Sequence, residues 1–566
     1  MDAAAASLAT WKTGQAVFSL LATLHLTSYK YPPTCNPKDG EYFDYIVVGC
    51  GTAGSIIANR LTENENVNYP GLFPFTAETS YDYNFPTVND NYTGQLLRDN
   101  SVRITAGKML GGSSGLSHFL DVRGNPFDFS RWATAAGEDS WNYEGLLPYF
   151  IKSEKVTNET ILDSPTGKFH GTNGNVEVNI VHSNNNVDII NAFKELGHKY
   201  NEDINSNETL GITEPFYFLA NGKRSDMASE YITPIKQRKN LHIWKEATVT
   251  KINFDLFKNA VSVEVMDSKN KIKTINANKE ILLAAGIIKT PQLLMLSGIG
   301  PRDQLQKYGI PVLSDLPVGK NLQDHVVALA LHKLDPSIAI ETPPPPTEFP
   351  TPYLLVNANL DPKKSIPDYQ VINIFLPHDT GALNLLCGVV LKYENELCNQ
   401  LYKANIGRNA LLSVIYKHRP LSSGEVTLNS KDPLATPTIK MNYYSDKKDL
   451  EDMVEYVHKF REIVNTTVLL KKGAEFLDLD LKSCKGIDKD TDEYWKCYIL
   501  STSASIYHFI GTCALGTVLD SKLSVKGVNR LRVVDASAIP DIPSGDNMAA
   551  LTAFVERAAD IIKSYV

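Results

Sequence analysis

Two glycine-rich clusters carry the residue types and spacings from which chemistry can be read. Gly49-Cys50-Gly51-Thr52-Ala53-Gly54 is a G-x-G-x-x-G turn. Such glycines permit a tight turn and let a pyrophosphate approach the first N–H groups of the following helix, where the dipole favours anions. The second cluster is Gly107-Lys108-Met109-Leu110-Gly111-Gly112-Ser113-Ser114-Gly115. It reads as an anion-binding or cofactor-contacting loop, or as a flexible connector. It also spells G-x-S-x-G from Gly111 to Gly115, the pattern of a hydrolase nucleophile elbow. An elbow needs a buried hydrophobic strand before it, and residues 103–110 make a poor one, so the esterase reading is set aside.

The elements that must position the first cluster are legible. Residues 42–48 (Tyr-Phe-Asp-Tyr-Ile-Val-Val) read as a buried strand, and residues 55–61 have helical spacing. A strand, the glycine turn and a helix in succession make this a dinucleotide-binding unit. Further strands are expected at 242–255, 261–265 and 280–285, the last entering Gly286 ahead of a helix from Pro291 to Leu296. Leu531-Arg-Val-Val534 reads as a short buried strand and 549–564 as a closing amphipathic helix. The proline-rich run 341–352 is a stiff linker or exposed loop. No internal repeat is evident.

Composition narrows the function. The 566 residues carry 56 Lys and Arg against 64 Asp and Glu, a formal charge of −8, which argues against nucleic acid as partner. With 43% hydrophobic residues the chain can bury a large core, so disorder is excluded. No C-x-x-C or H-E-x-x-H occurs, and a metal site has no support. Cys387/Cys398 and Cys484/Cys497 could each close a short loop in an oxidising compartment. The uncharged stretch 13–29 suits a signal-peptide core better than a membrane span, with a surface helix as the alternative. Secretion is the weak preference and a cytoplasmic location stays open; four N-x-[ST] sequons, at Asn91, Asn158, Asn207 and Asn465, are compatible with it.

Five separated blocks resemble the glucose–methanol–choline (GMC) oxidoreductases. They are the Gly49–Gly54 turn; residues 107–125; residues 285–301 with 316–325 after them; Tyr507-His508-Phe-Ile-Gly-Thr-Cys-Ala-Leu-Gly516; and Leu531-Arg-Val-Val-Asp535-Ala536-Ser537. The flavour is that of insect members, the moth ecdysone oxidases and insect FAD glucose dehydrogenases. The resemblance implies a mixed α/β (α+β) chain: a Rossmann-like FAD-binding domain (41–155 with 235–325 and 505–566) and a second, mainly antiparallel-sheet substrate domain (156–234 with 326–504). Residues 1–40 would form a leader or surface helix. It further implies non-covalent FAD held by Gly49, Gly51, Thr52, Ala53, Gly54, Lys108, Gly111, Gly112, Ser113, Ser117, Val249, Asp535 and Ala536. His508 would take the hydroxyl proton of an alcohol while hydride leaves its carbon, work suited to an imidazole. The implied substrate is an ecdysteroid hydroxyl, with glucose, or a non-catalytic member, as alternatives; oxygen or a quinone would accept the electrons.

Three positions depart from the family pattern. Its second catalytic His or Asn falls at Asp546, followed by Asn547, and either is a candidate partner of His508. Its Asn in the second glycine block is Ser117, beside His118. Most seriously, the strand that should carry a ribose-binding acid about 20 residues after the glycines is missing. The helix ends at 61–67 and passes directly to Asn68-Tyr-Pro-Gly-Leu-Phe-Pro-Phe75, with only Glu78 nearby. A skipped exon or faulty gene model between Val67 and Asn68 is favoured over true degeneration. Sequencing of the transcript should reveal about twenty further residues at that junction, apolar and ending in Glu; a transcript that matches the chain as written refutes this.

Overall fold

The computed structural model describes residues 31–62, 80–220, 223–336 and 352–565. The possible leader at 13–29, the Val67/Asn68 junction with Glu78, and nearly all of the proline-rich run lie outside them.

Two sheets organise the chain. In the first, β1 (Tyr42–Val48) runs parallel to a later strand, β4 (Ile272–Leu283). On its other side β4 is shared. Its C-terminal residues pair in parallel with β9 (Leu531–Val533). Its N-terminal residues pair with β3 (Ala260–Met266), which forms an antiparallel hairpin with β2 (Thr248–Phe254). Ile281, Leu282 and Leu283 are fully buried, as expected for a strand covered on both faces. Helix α1 (Thr52–Thr62) follows the glycine turn and packs against the closing helix α5 (Met548–Lys563).

The second sheet has seven strands, all antiparallel. Its centre is β5 (Val326–Leu334), β8 (Asn409–Lys417), β7 (Tyr369–Leu376) and β6 (Leu354–Ala358). Helices α3 (Lys447–Arg461) and α4 (Asp492–Thr502) cover one face through Met453, Phe460, Trp495 and Tyr498. Side chains alternate along a strand, so Ile372 and Ile374 of β7, opposite Val414 and Leu412 of β8, point the other way.

One element starts earlier than its sequence suggests. Helix α2 spans Gly286–Leu296 and holds Pro291 in its interior. Proline has no N–H to give the carbonyl four residues back, Ile287. The Thr512 hydroxyl donates to that carbonyl instead, at 2.7 Å. Both cysteine pairs are disulfides, Cys387–Cys398 and Cys484–Cys497. The G-x-S-x-G loop is a short 3-10 turn (Gly112–Gly115) whose Ser113 Oγ accepts the Gly107 N–H; it is no nucleophile elbow. Among the described residues no helix is long and apolar enough to cross a membrane.

Helices α1 and α5 are locked by a buried charge. Arg60 donates from Nε and Nη2 to the fully buried Glu556, at 2.7 and 2.6 Å, and the Tyr231 hydroxyl adds a bond of 2.8 Å. Removing one partner of such a pair strands the others. Glu556→Ala is expected to destabilise the fold by ~3–5 kcal/mol, read as a lowered denaturation midpoint.

Candidate active site

The floor of the site is backbone against backbone. Gly49 has φ +108°, and a Cβ there would lie 2.3 Å from the Ala284 carbonyl oxygen. At Gly112 a Cβ would lie 2.6 Å from the Gly51 Cα. The loops are joined by the Gly111 N–H, which donates to the Cys50 carbonyl at 2.8 Å. Burial pushes the Cys50 thiol up to about 11, so it stays neutral in the turn.

These loops open into a cavity of about 670 Å³. Gly49, Gly51, Thr52, Ala53, Lys108, Gly112, Ser113, Ser117, Val249, Asp535 and Ala536 all line it, as do His508, Asp546 and Asn547. Gly54 and Gly111 do not: Gly54 packs under the Gly49 carbonyl, and Gly111 makes the left-handed turn behind the loop. Asp535 is occupied by the scaffold. Its carboxylate accepts the Gly286 N–H (2.8 Å), the Thr290 hydroxyl (2.6 Å) and the Ser537 N–H (2.9 Å). It therefore ties α2 to the end of β9.

At the other end of the cavity stands His508, almost fully buried. Its Nε2 lies 3.3 Å from Asp546 Oδ2, and Asp546 Oδ1 accepts the Met548 N–H at the start of α5 (2.9 Å). The structure thus brings Asp546, rather than Asn547, to the imidazole. The main-chain N–H of His508 donates to Asp324 Oδ1 at 2.9 Å. Asp324 Oδ2 takes the Ser505 hydroxyl (2.7 Å) and the Tyr443 hydroxyl. His508 Nδ1 meets His325 Nδ1 at 2.8 Å. Asp324 and His325 lie in a block quoted for resemblance, yet nothing in their spacing foretold this grip.

Sequence reasoning missed other residues here. Ser117 is held by Arg224, whose Nη1 donates to its carbonyl (2.8 Å) and its hydroxyl (3.2 Å). Burial pulls that guanidinium down to about 9. His118 lines the cavity and shares a hydrogen bond of 2.9 Å with the Tyr353 hydroxyl. Burial, with the Arg224 charge, lowers its imidazole to about 4, leaving it neutral. Ile372, Ile374, Leu412 and Val414 line the same cavity as His508, an apolar patch supplied by β7 and β8 of the antiparallel sheet.

Comparison with known proteins agrees with this architecture. The two GMC oxidoreductase patterns match residues 43–327 and 420–554. An ecdysone oxidase of Spodoptera littoralis is 32% identical, over 95% of this chain and 94% of its own. A glucose dehydrogenase [FAD, quinone] of Drosophila pseudoobscura pseudoobscura is 30% identical, over 93% and 87%. Among solved structures, a pyridoxine 4-oxidase from Mesorbium loti superposes with TM-score 0.75 at 25% identity, covering 91% of this chain and 98% of its own. A formate oxidase of Aspergillus oryzae shares the fold (TM-score 0.78, 24% identity, 94% and 99% covered). FAD, the family's cofactor, fits the residues present. The glycine loops, packed backbone to backbone, form the floor of a cradle at the start of α1, where helix N–H groups favour a pyrophosphate.

That cradle can be tested directly. Gly112→Ala, at φ +55° and against Gly51, should force the loops apart. FAD affinity of the variant should fall about tenfold or more, equivalent to ~1.4 kcal/mol, as measured by titrating apoprotein with flavin.

Proposed function

Because this chain belongs to the GMC oxidoreductase family, an FAD-dependent group acting on CH–OH donors, we propose that it oxidises a secondary alcohol carried on a large apolar body, an ecdysteroid-like sterol. The observation that carries the reading is the apolar patch that β7 and β8 contribute to the cavity lined by His508. A sugar needs several convergent polar groups, and Ile372, Ile374, Leu412 and Val414 offer none. Similarity to the Spodoptera ecdysone oxidase supports the same substrate class.

In this reading the Gly49–Ala53 turn and the Gly112–Ser113 loop hold the pyrophosphate, with Val249, Lys108, Ser117 and Ala536 along the rest of the cofactor. FAD, when bound, accepts the hydride equivalent, and oxygen or a quinone takes the electrons onward. His118 is engaged with Tyr353, consistent with non-covalent flavin. His508 receives the hydroxyl proton on Nε2, the nitrogen that faces the cavity and Asp546. The Asp546 carboxylate balances the imidazolium that results. Asn547 lines the same space and is assigned to contact with the alcohol. Two disulfides and the exposed sequons at Asn91, Asn207 and Asn465 support an extracellular location. The two sheets support the proposed division into FAD-binding and substrate domains; residues 31–40 carry no helix, contrary to the surface-helix alternative, and bond to Ile243 and Thr274.

A second reading, a member that holds FAD poorly, is motivated by the edge of β1, which carries no partner strand among the described residues. Absorbance of the purified protein near 450 nm separates the two. With flavin present, His508→Ala should lower kcat by ~10²–10⁴ while leaving FAD content unchanged. Turnover of glucose with none of ecdysone would reverse the substrate order, and an alanine variant with full turnover would remove His508 from its role.

A further inference from the structure

The grip on His508 continues beyond its first partner. His325 Nε2 lies 2.8 Å from the main-chain oxygen of His418. A carbonyl can only accept, so His325 carries its proton on Nε2. Burial, reinforced by the His508 and Arg419 charges, holds His325 well below the ordinary histidine range, and the ring is neutral. Its Nδ1 is therefore a bare lone pair. The 2.8 Å contact with His508 Nδ1 then requires the hydrogen to come from His508.

His418 is itself fixed at both ends. Its main-chain N–H donates to Asp368 O at 3.0 Å, just past the end of β8. Its ring Nδ1 accepts the Gly545 N–H at 3.1 Å, one residue before Asp546. That bond leaves the ring's hydrogen on Nε2, which finds no protein partner among the described residues. His325 and His418 are both fully buried, so neither exchanges these bonds for water.

We propose that His325 and His418 are positioning residues: a chain of fixed hydrogen bonds keeps a proton on His508 Nδ1 and leaves Nε2 as the only nitrogen that can take the hydroxyl proton. The same His418 ring holds the loop that brings Asp546 to that nitrogen, so both catalytic arms are set from one buried point. His325 passes no proton on, because its one hydrogen is committed to the His418 carbonyl. The proposal rests on the role assigned to His508, and its test separates the two.

Selective ¹⁵N labelling of the 12 histidines, in apo or FAD-loaded protein, reads the tautomers without any turnover. His508 should show a protonated Nδ1 at every pH where the fold persists, and His325 a protonated Nε2 with a bare Nδ1. The opposite pattern, a bare Nδ1 on His508, would overturn the relay whatever the enzyme does. In kinetics, His325→Leu should lower kcat on the order of ten- to a hundredfold with KM and FAD content unchanged. His325→Gln offers an amide N–H to His418 and a carbonyl to His508, and should recover most of that loss. A space-filling role predicts the reverse order, since leucine suits a buried site better than glutamine. Equal losses in the two variants, or full kcat in His325→Leu, would also overturn the proposal. Absence of any alcohol oxidation in the wild type would remove the functional reading, while the nitrogen assignment would still stand or fall on its own spectrum.

Discussion

At Gly51 and Gly112 the two glycine loops meet with so little room that a single methyl on Gly112 would sit 2.6 Å from the facing Cα. That closeness sets the floor height of the cleft and, with it, the distance from the start of α1 to everything else in the site. It is a steric constraint with no attractive term of its own. The attraction comes from around it: the Gly111-to-Cys50 hydrogen bond, the buried ladder of β4, and the Arg60–Glu556 pair that fixes α1 against α5. Because α5 begins at Met548, whose N–H binds Asp546, the same packing that seats the glycine floor also seats the carboxylate opposite His508.

The catalytic end obeys a different rule. An imidazole in an apolar cavity loses water on every side, and an unpaired polar atom there costs several kcal/mol. The chain answers by placing polar groups against His508 on three sides. Asp324 takes its main-chain N–H, His325 faces Nδ1 and Asp546 lies at Nε2. Asp324 and His325 sit immediately before β5, at the centre of the antiparallel sheet. Asp546 belongs to the loop before α5, on the side of the parallel sheet. The polar network therefore bridges the two sheets where the cavity lies between them.

How much of this was legible in the sequence follows from which interactions are local. The β1–turn–α1 unit is contiguous, so its pattern could be read residue by residue, and nearly all of the named cofactor residues reach the cavity. Strands β5 and β8 gave no alternation because both faces are buried, and resemblance alone announced their sheet. The start of α2 lies earlier than the sequence suggests because the carbonyl that Pro291 leaves unbonded is met by Thr512, more than two hundred residues away. Arg224 under Ser117, and His418 behind His325, are meetings of distant segments that no spacing encodes. The choice between Asp546 and Asn547 needed the direction in which the loop turns.

The same distinction bears on the edge of β1. A parallel strand of this kind is usually covered on both sides, yet β1 ends the sheet among the described residues and Tyr42 is 66% exposed. The glycine turn nevertheless keeps its geometry, because its support comes from the other side, through Val47 and Val48 paired with Leu282 and Leu283. A gap at the outer edge thus leaves the pyrophosphate cradle and the catalytic end standing. The family's ribose-binding acid is expected beyond that edge, and the lack of such a carboxylate would withdraw one charge-assisted hydrogen bond, ~1.5–3 kcal/mol. Weaker retention of FAD and intact chemistry once it is bound would therefore be compatible outcomes of a change at that edge, since the two ends of the site are anchored to different neighbours.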